Sequence, residues 1–261
     1  MINGLLHAYG CSWTEGEGSY VPEVALISNR EDKKIFRNQY SWPRVLANHL
    51  GIRDINNGIG GNANLKIFNS VVQDLRYGKI SQDDLVVIMW SSSLRDYVPF
   101  LPRGEWVSWS VKHLVERPDK FILSYRSDDE RFDSFFQEYK KMYVGHLYNK
   151  NYYNIVNQNY IIFLQEMFKS YKIRYVMAES FDPMLLDVTE EDDRSYLINS
   201  DYYWGFKKQN FRDFLNRTKR IDVWEYQDET YENRPTQHPN QHGYKIIGDE
   251  LYRFVKERIT L

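Results

Sequence analysis

Apolar positions along the chain follow two alternating patterns. Short, nearly unbroken apolar runs closed by glycine or polar turns alternate with longer stretches whose apolar residues recur at helical spacing. Leu5-Leu6-His7-Ala8-Tyr9 runs into Gly10 and predicts a strand feeding a tight turn. Ser41 to Gly51 predicts a helix with Trp42, Val45, Leu46 and Leu50 on one face. Ser41 suits its N-cap, Pro43 its first turn and Gly51 a left-handed C-terminal position. Asp54-Ile55-Asn56 predicts a short strand leading into Gly58-Ile59-Gly60-Gly61. From about Ala63 to Tyr77 a second amphipathic helix places Leu65, Phe68, Val71, Val72 and Leu75 inward. Leu85 to Trp90 has no polar alternation, which predicts a central strand buried on both faces. Ile155 to Tyr171 reads as a long helix, Arg174 to Ala178 as a strand and Ile221 to Trp224 as a fifth strand. Gln241 to Ile259 closes the pattern as a helix with Tyr244, Ile247, Leu251, Phe254 and Val255 on one stripe.

Such repeated alternation predicts an open α/β sheet covered by helices on both sides, with ligands at the carboxyl ends of its strands. Two segments interrupt it, at about 94–150 and 181–209, both too long for an ordinary connection. Neither repeats nor a linker divide the sequence, so residues 1–261 read as one domain with two insertions.

Composition narrows the classes of function. A formal charge of −2 lacks the cationic surplus of a nucleic-acid binder. One cysteine cannot form an internal disulfide. The six-residue run Leu85–Trp90 is far short of the ~20 residues of a membrane span, and no secretory signal stands at the N-terminus. The expectation is a cytoplasmic protein with no membrane partner. Aromatic residues are abundant, at 16% of the chain, and are dense in the 94–150 segment.

Candidate chemistry gathers at the predicted strand ends. Gly10-Cys11-Ser12-Trp13-Thr14-Glu15-Gly16 follows the first strand, and Asn56 to Asn64 follows the second. Ser91-Ser92-Ser93-Leu94-Arg95 follows the third, and His238-Pro239-Asn240 precedes the last helix. A serine, a glycine-rich turn, hydroxyls and a histidine on one rim are the parts acyl transfer requires. In this order and spread the blocks resemble those of the SGNH hydrolases, the GDSL esterase/lipase superfamily. The first block matches Gly10, Ser12, Thr14 and Gly16, the second Asn56, Gly58, Gly61 and Asn64, and the last His238-Pro239 through Gly243. Gly-Cys-Ser in the first block and Trp-Ser-Ser-Ser-x-Arg after the third strand are similar to stand-alone members found in tailed-phage genomes.

The resemblance implies a three-layer α/β/α sandwich with a flavodoxin-like, mainly parallel five-stranded sheet. It implies Ser12 as nucleophile, His238 as general base, and the backbone N–H groups of Ser12 and Gly61 as oxyanion donors, with no metal and no cofactor. Two positions depart from the family pattern. Ser92 or Ser93 stands where the third-block Asn is expected, and Pro235 stands where an Asp would orient the histidine. Glu232 and Asp228 are the candidate orienters in its place.

Other readings of the same residues lead elsewhere. Cys11 is a competing nucleophile, although its position matches a structural residue and free cysteine is usually a small buried hydrophobe. His7 reads as a buried strand residue. Pro239 between His238 and His242 argues against a helical metal pair, and Asn240 reads as an N-cap. Gly58 to Ala63 also fits a dinucleotide-binding glycine pattern, but no carboxylate ends the next strand. Trp106, Trp109, Tyr202, Tyr203 and Trp204 are the candidate lid residues; a satellite core, a platform on which a sugar ring stacks and a protein interface are three readings that the sequence leaves open. The expected function is hydrolysis of an ester, an O-acetyl group on a carbohydrate being the preferred substrate. The alternative is a weakly active or inactive binding or virion-structural protein of the same fold that recognises a glycan or protein; a phage product of either kind would be virion-associated or released on lysis.

Overall fold

The computed structural model describes residues 4–19, 29–100, 105–110, 138, 141–142, 146, 149–181, 185, 193–218, 221–226 and 235–259, with backbone alone at 30, 96–100, 105–110, 150, 221, 225–226 and 235–237. Its centre is a four-stranded parallel sheet of β1 (Leu6–Gly10), β2 (Asp54–Gly58), β3 (Leu85–Trp90) and β6 (Arg174–Glu179), in the order β2-β1-β3-β6. Two further pairs among the described residues are antiparallel: β4 (Arg95–Phe100) with β5 (Glu105–Ser110), and β7 (Trp224–Tyr226) with β8 (Pro235–Pro239). The α/β class read from the alternation is the observed one.

Alternation along β3 shows why the sheet has a helix layer on each face. Leu85, Val87 and Met89 enter one core with Trp42 and Leu46 of α3 (Trp42–Leu50) and Tyr244, Ile247, Leu251 and Val255 of α7 (Gln241–Arg258). Val86, Ile88 and Trp90 enter the other with Ile67 and Val71 of α4 (Asn64–Arg76) and Ile161, Leu164 and Phe168 of α5 (Lys150–Tyr171). Every β3 side chain is buried, as an unbroken apolar run between two helix layers demands. Three further short helices lie among the described residues: α1 (Ser12–Glu15), α2 (Arg30–Asn38) and α6 (Phe211–Arg217).

Helix α3 begins and ends where the sequence says. Gly51 adopts φ 68° and donates to Ala47 and Asn48 carbonyls, closing the helix in a left-handed cap. Ser41 is the N-cap residue but makes no side-chain cap bond; its hydroxyl donates instead to the Asn38 carbonyl.

The expected fifth strand departs from the sequence reading. Ile221–Val223 forms a 3₁₀ turn, and Trp224–Tyr226 pairs with β8 outside the central sheet. Beside β6 lies instead a single parallel bridge between Met177 and Tyr203, with the Trp204 N–H donating to the Met177 carbonyl at 2.8 Å. Trp and Tyr at 202–204 thus occupy the edge by packing rather than by an extended ladder. Helix α2 has no counterpart in the sequence reading, because its Arg-Glu-Asp-Lys-Lys run presents no apolar stripe.

Candidate active site

Parallel register sets the site's position. Gly10, Gly58 and Met89 are aligned across β2-β1-β3, so the loops leaving these three strands emerge on the same rim. Ser12 opens α1 immediately after β1 and is buried. His238 arrives from the far end of the sequence on β8. Asn240 fixes that approach: its amide donates to the Asp222 and Trp224 carbonyls at 2.7 and 3.1 Å. Its Oδ1 accepts from Gly243 N–H at 3.0 Å, so one residue caps α7 and ties it to β7. The outcome is a His238 Nε2 to Ser12 Oγ distance of 2.9 Å between residues 226 apart. At that distance, Nε2 accepts the serine proton when the neutral ring carries its own hydrogen on Nδ1.

The glycine turn after β2 packs directly on this pair. A Cβ on Gly58 would lie 2.3 Å from the Glu15 amide nitrogen, so only glycine lets β2 approach α1. A Cβ on Gly60 would come to 4.0 Å from the Ser12 Cβ, which places the turn against the nucleophile. Gly61 comes next, with φ 79° in the left-handed region. The Gly60 N–H donates to the Glu15 carboxylate. That amide is one a bound phosphate would take in a dinucleotide site, and a fixed carboxylate there repels phosphate.

A buried polar network braces the loop after β3. Asn64 Oδ1 accepts from Ser91 N–H at 2.8 Å, and its amide donates to Asn157 Oδ1 at 2.7 Å. The same amide lies 3.3 and 3.4 Å from the Ser91 and Ser92 carbonyls, while Asn157 donates to the Ser93 carbonyl at 3.3 Å. Ser92 and Ser93 are both buried. Ser92 Oγ accepts from Leu94 N–H at 3.2 Å, which leaves its own hydrogen to donate. Beyond them the Arg95 guanidinium lies 4.9 Å from the Phe181 ring centre, and its Nη1 is buried with no hydrogen-bond partner among the described residues. Phe181 in turn sits 5.8 Å from the Trp13 ring, next to Ser12.

The structure disperses the lid candidates. Tyr203 and Trp204 are core residues, 2% and 3% exposed, which corrects the expectation that they face a substrate. Trp204 stacks on Phe211 at 3.8 Å, and the Tyr203 hydroxyl donates to Glu179, so both rings are spent on packing. Tyr202 sits 5.0 Å from Tyr175 and lines a cleft of about 580 Å³ with Arg174, at the opposite end of β6 from the rim. Trp106 and Trp109 lie on β5, opposite Pro99 and Asp96 of β4; their side chains lie outside the described residues. Asp228 and Glu232 lie outside the described residues altogether.

Cys11 is fully buried in the α3–α7 core. His242 stands apart from His238, with its Nε2 4.0 Å from Asp222. His7 is buried on β1 beside Asp84, and burial holds its pKa below the usual imidazole value. Sequence reasoning gave no role to Glu15 or Glu17. The Glu17 carboxylate reaches 3.7 Å from His238 Nε2, a juxtaposition that the turn after α1 creates and that no spacing rule anticipates.

Among the described residues no helix is long and apolar enough to cross a membrane. No family model matches the chain, and no curated protein matches it in sequence. Two solved structures align with it in three dimensions. One is a protein of the G-D-S-L lipolytic family from Desulfitobacterium hafniense, 16% identical, with a TM-score of 0.42 over 97% of this chain and 99% of that one. The other is a catalytic mutant of Axe2, an acetylxylan esterase from Geobacillus stearothermophilus, 15% identical, with a TM-score of 0.45 over 97% and 94%. The strand order and the Ser12–His238 geometry stand independently of both. Both alignments span nearly the whole chain at low sequence identity.

Proposed function

We propose that the chain is a serine ester hydrolase of SGNH type. The observation that carries the reading is the 2.9 Å contact between Ser12 Oγ and His238 Nε2. A serine hydroxyl is a weak nucleophile until a base stands ready to take its proton. In the proposed reaction Ser12 Oγ bonds to the acyl carbon as its proton passes to His238 Nε2. The carbonyl electron pair moves onto oxygen, which the N–H groups of Ser12 and Gly61 receive. Ser92 or Ser93 supplies a hydroxyl as a third donor. His238 returns the proton to the leaving alkoxide, then deprotonates the water that releases the acid and restores Ser12.

The third donor sets the expected rate. A hydroxyl rotates where an amide is fixed, and losing one preorganised donor costs ~10²–10³ in turnover. Slow hydrolysis is therefore the expectation. For the substrate we propose an O-acetyl ester on a carbohydrate. Support comes from the β4–β5 hairpin, which leaves the rim at Arg95 and carries Trp106 and Trp109. Of the five candidate lid aromatics, Tyr203 and Trp204 lie in the core and Tyr202 lies at the far end of β6, so Trp106 and Trp109 are the candidates kept for a sugar face. Hydrolysis of a chromogenic acetyl ester tests the reaction: wild type turns it over, while Ser12→Ala and His238→Ala reduce it to background. Wild-type rates equal to those of either variant contradict the proposal.

A further inference from the structure

We infer that Glu17 is the positioning carboxylate that holds the His238 imidazolium from its Nε2 side, a role that rests on the serine-hydrolase reading above. Proton transfer from Ser12 places a hydrogen and a positive charge on the ring, and Nε2 is where that hydrogen sits. Two acceptors face it: Ser12 Oγ at 2.9 Å and Glu17 Oε2 at 3.7 Å. Once Oγ is bonded to the acyl carbon it becomes a poor acceptor. Glu17 then holds a negative charge 3.7 Å from Nε2 until the proton leaves with the alkoxide. In this arrangement Glu17 supplies charge compensation on the catalytic nitrogen's own side of the ring.

The backbone that carries the carboxylate is fixed on both sides. Glu17 N–H donates to the Ser12 carbonyl at 2.9 Å, and the Glu17 carbonyl accepts from the Tyr244 hydroxyl of α7. The acid is thereby tied to the nucleophile's residue and to the helix that comes after His238. Other described ionisable groups on elements packed against β8 are engaged elsewhere. Glu15 of α1 accepts from Gly60 N–H, and His242 of α7 faces Asp222, which precedes β7. The Glu17 carboxylate, by contrast, stands within ion-pair distance of His238.

The test reads the ring directly. Side-chain NMR of histidine-labelled full-length protein follows the His238 titration in wild type, Glu17→Gln and Glu17→Asp, alongside the pH profile of kcat/KM. A facing carboxylate raises an imidazole pKa, so Glu17→Gln is expected to lower the His238 midpoint by about 0.5–1 unit, Glu17→Asp by less. The acid limb of kcat/KM moves down by the same amount. A His238 midpoint unchanged in Glu17→Gln overturns the inference, even if ester turnover falls. A lowered midpoint in a protein that hydrolyses no ester upholds the Glu17–His238 pairing and contradicts the hydrolase reading instead.

Discussion

The two ends of the central sheet carry polar groups for opposite purposes. At the amino end Asp84 is closed: its carboxylate accepts from Leu5 N–H at 2.6 Å, from Ser81 N–H at 2.7 Å and from the Ser81 hydroxyl at 2.8 Å. At the carboxyl end Ser12 and His238 touch each other, and His238 remains partly open to solvent. Both ends hold a histidine near a carboxylate, with His7 3.6 Å from Asp84 and His238 3.7 Å from Glu17. His7 is fully walled in by its strand neighbours; His238 stands on a hairpin at the surface. The difference shows that a histidine–acid pair becomes a candidate for chemistry through access and through a nucleophile on the same nitrogen. Proximity of the two charges alone describes both ends.

Substitution separates them. Asp84→Ala removes the charged acceptor of two part-buried backbone N–H groups, and bonds of that kind are worth about 1–2 kcal/mol each. Denaturant unfolding is expected to show a loss of about 2–4 kcal/mol, with the kcat of the surviving folded protein intact. A loss of kcat per folded molecule equal to that of a rim variant erases the distinction between the ends.

Gly58→Ala tests the rim from the packing side. The added Cβ meets backbone atoms of Thr14 and Glu15 at 2.6 and 2.3 Å, which cannot give way as a flexible side chain can. The expected cost is about 1–3 kcal/mol together with a fall in activity, because α1 must move and Ser12 moves with it. Gly51→Ala is the matched control: nothing lies within 4 Å of its Cβ, and only its left-handed φ of 68° is strained. It should cost about 1–2 kcal/mol and leave the folded enzyme's kcat unchanged.

The smallest effect concerns pH. Burial outweighs the pull of Asp84 and Asp74 and keeps the His7 pKa below its ordinary value of 6.5. The unfolded chain therefore binds a proton at His7 in a range where the folded chain does not, and stability falls as pH drops below about 6.5. His7→Gln removes this contribution. The wild-type loss of stability between about pH 7.5 and pH 5.5 should be steeper than the variant's, as read by denaturant midpoints at the two values. Equal slopes place the His7 proton outside the folding equilibrium.

Much of this frame was legible in the residues. An unbroken apolar run of six residues is too short for an ordinary buried helix and fits a strand covered on both faces, and β3 is that strand. Ser41, Pro43 and Gly51 bracket α3 because caps are local chemistry. Asn240 was readable as a cap for the same reason, and its cap bond orients the turn beside His238. Long-range outcomes were not legible. Ile221 to Trp224 has strand composition, yet Ile221–Val223 forms a 3₁₀ turn and only Trp224 pairs, with Pro239 of β8. Tyr203 and Trp204 are aromatic in either a lid or a core, and composition does not say which side of β6 they cover. Glu17 lies in a charged turn that reads as solvated surface until Tyr244 and Ser12 are seen to fix its backbone.

The central claim is that Ser12 is a nucleophile because His238 accepts its proton. Mass spectrometry of the intact protein after treatment with a fluorophosphonate, with peptide mapping of the product, measures this without knowledge of the substrate. One adduct per chain on Ser12, slowed at least about 100-fold in His238→Ala, is the predicted result. Absence of an adduct on Ser12, or labelling that proceeds equally well without His238, contradicts the account.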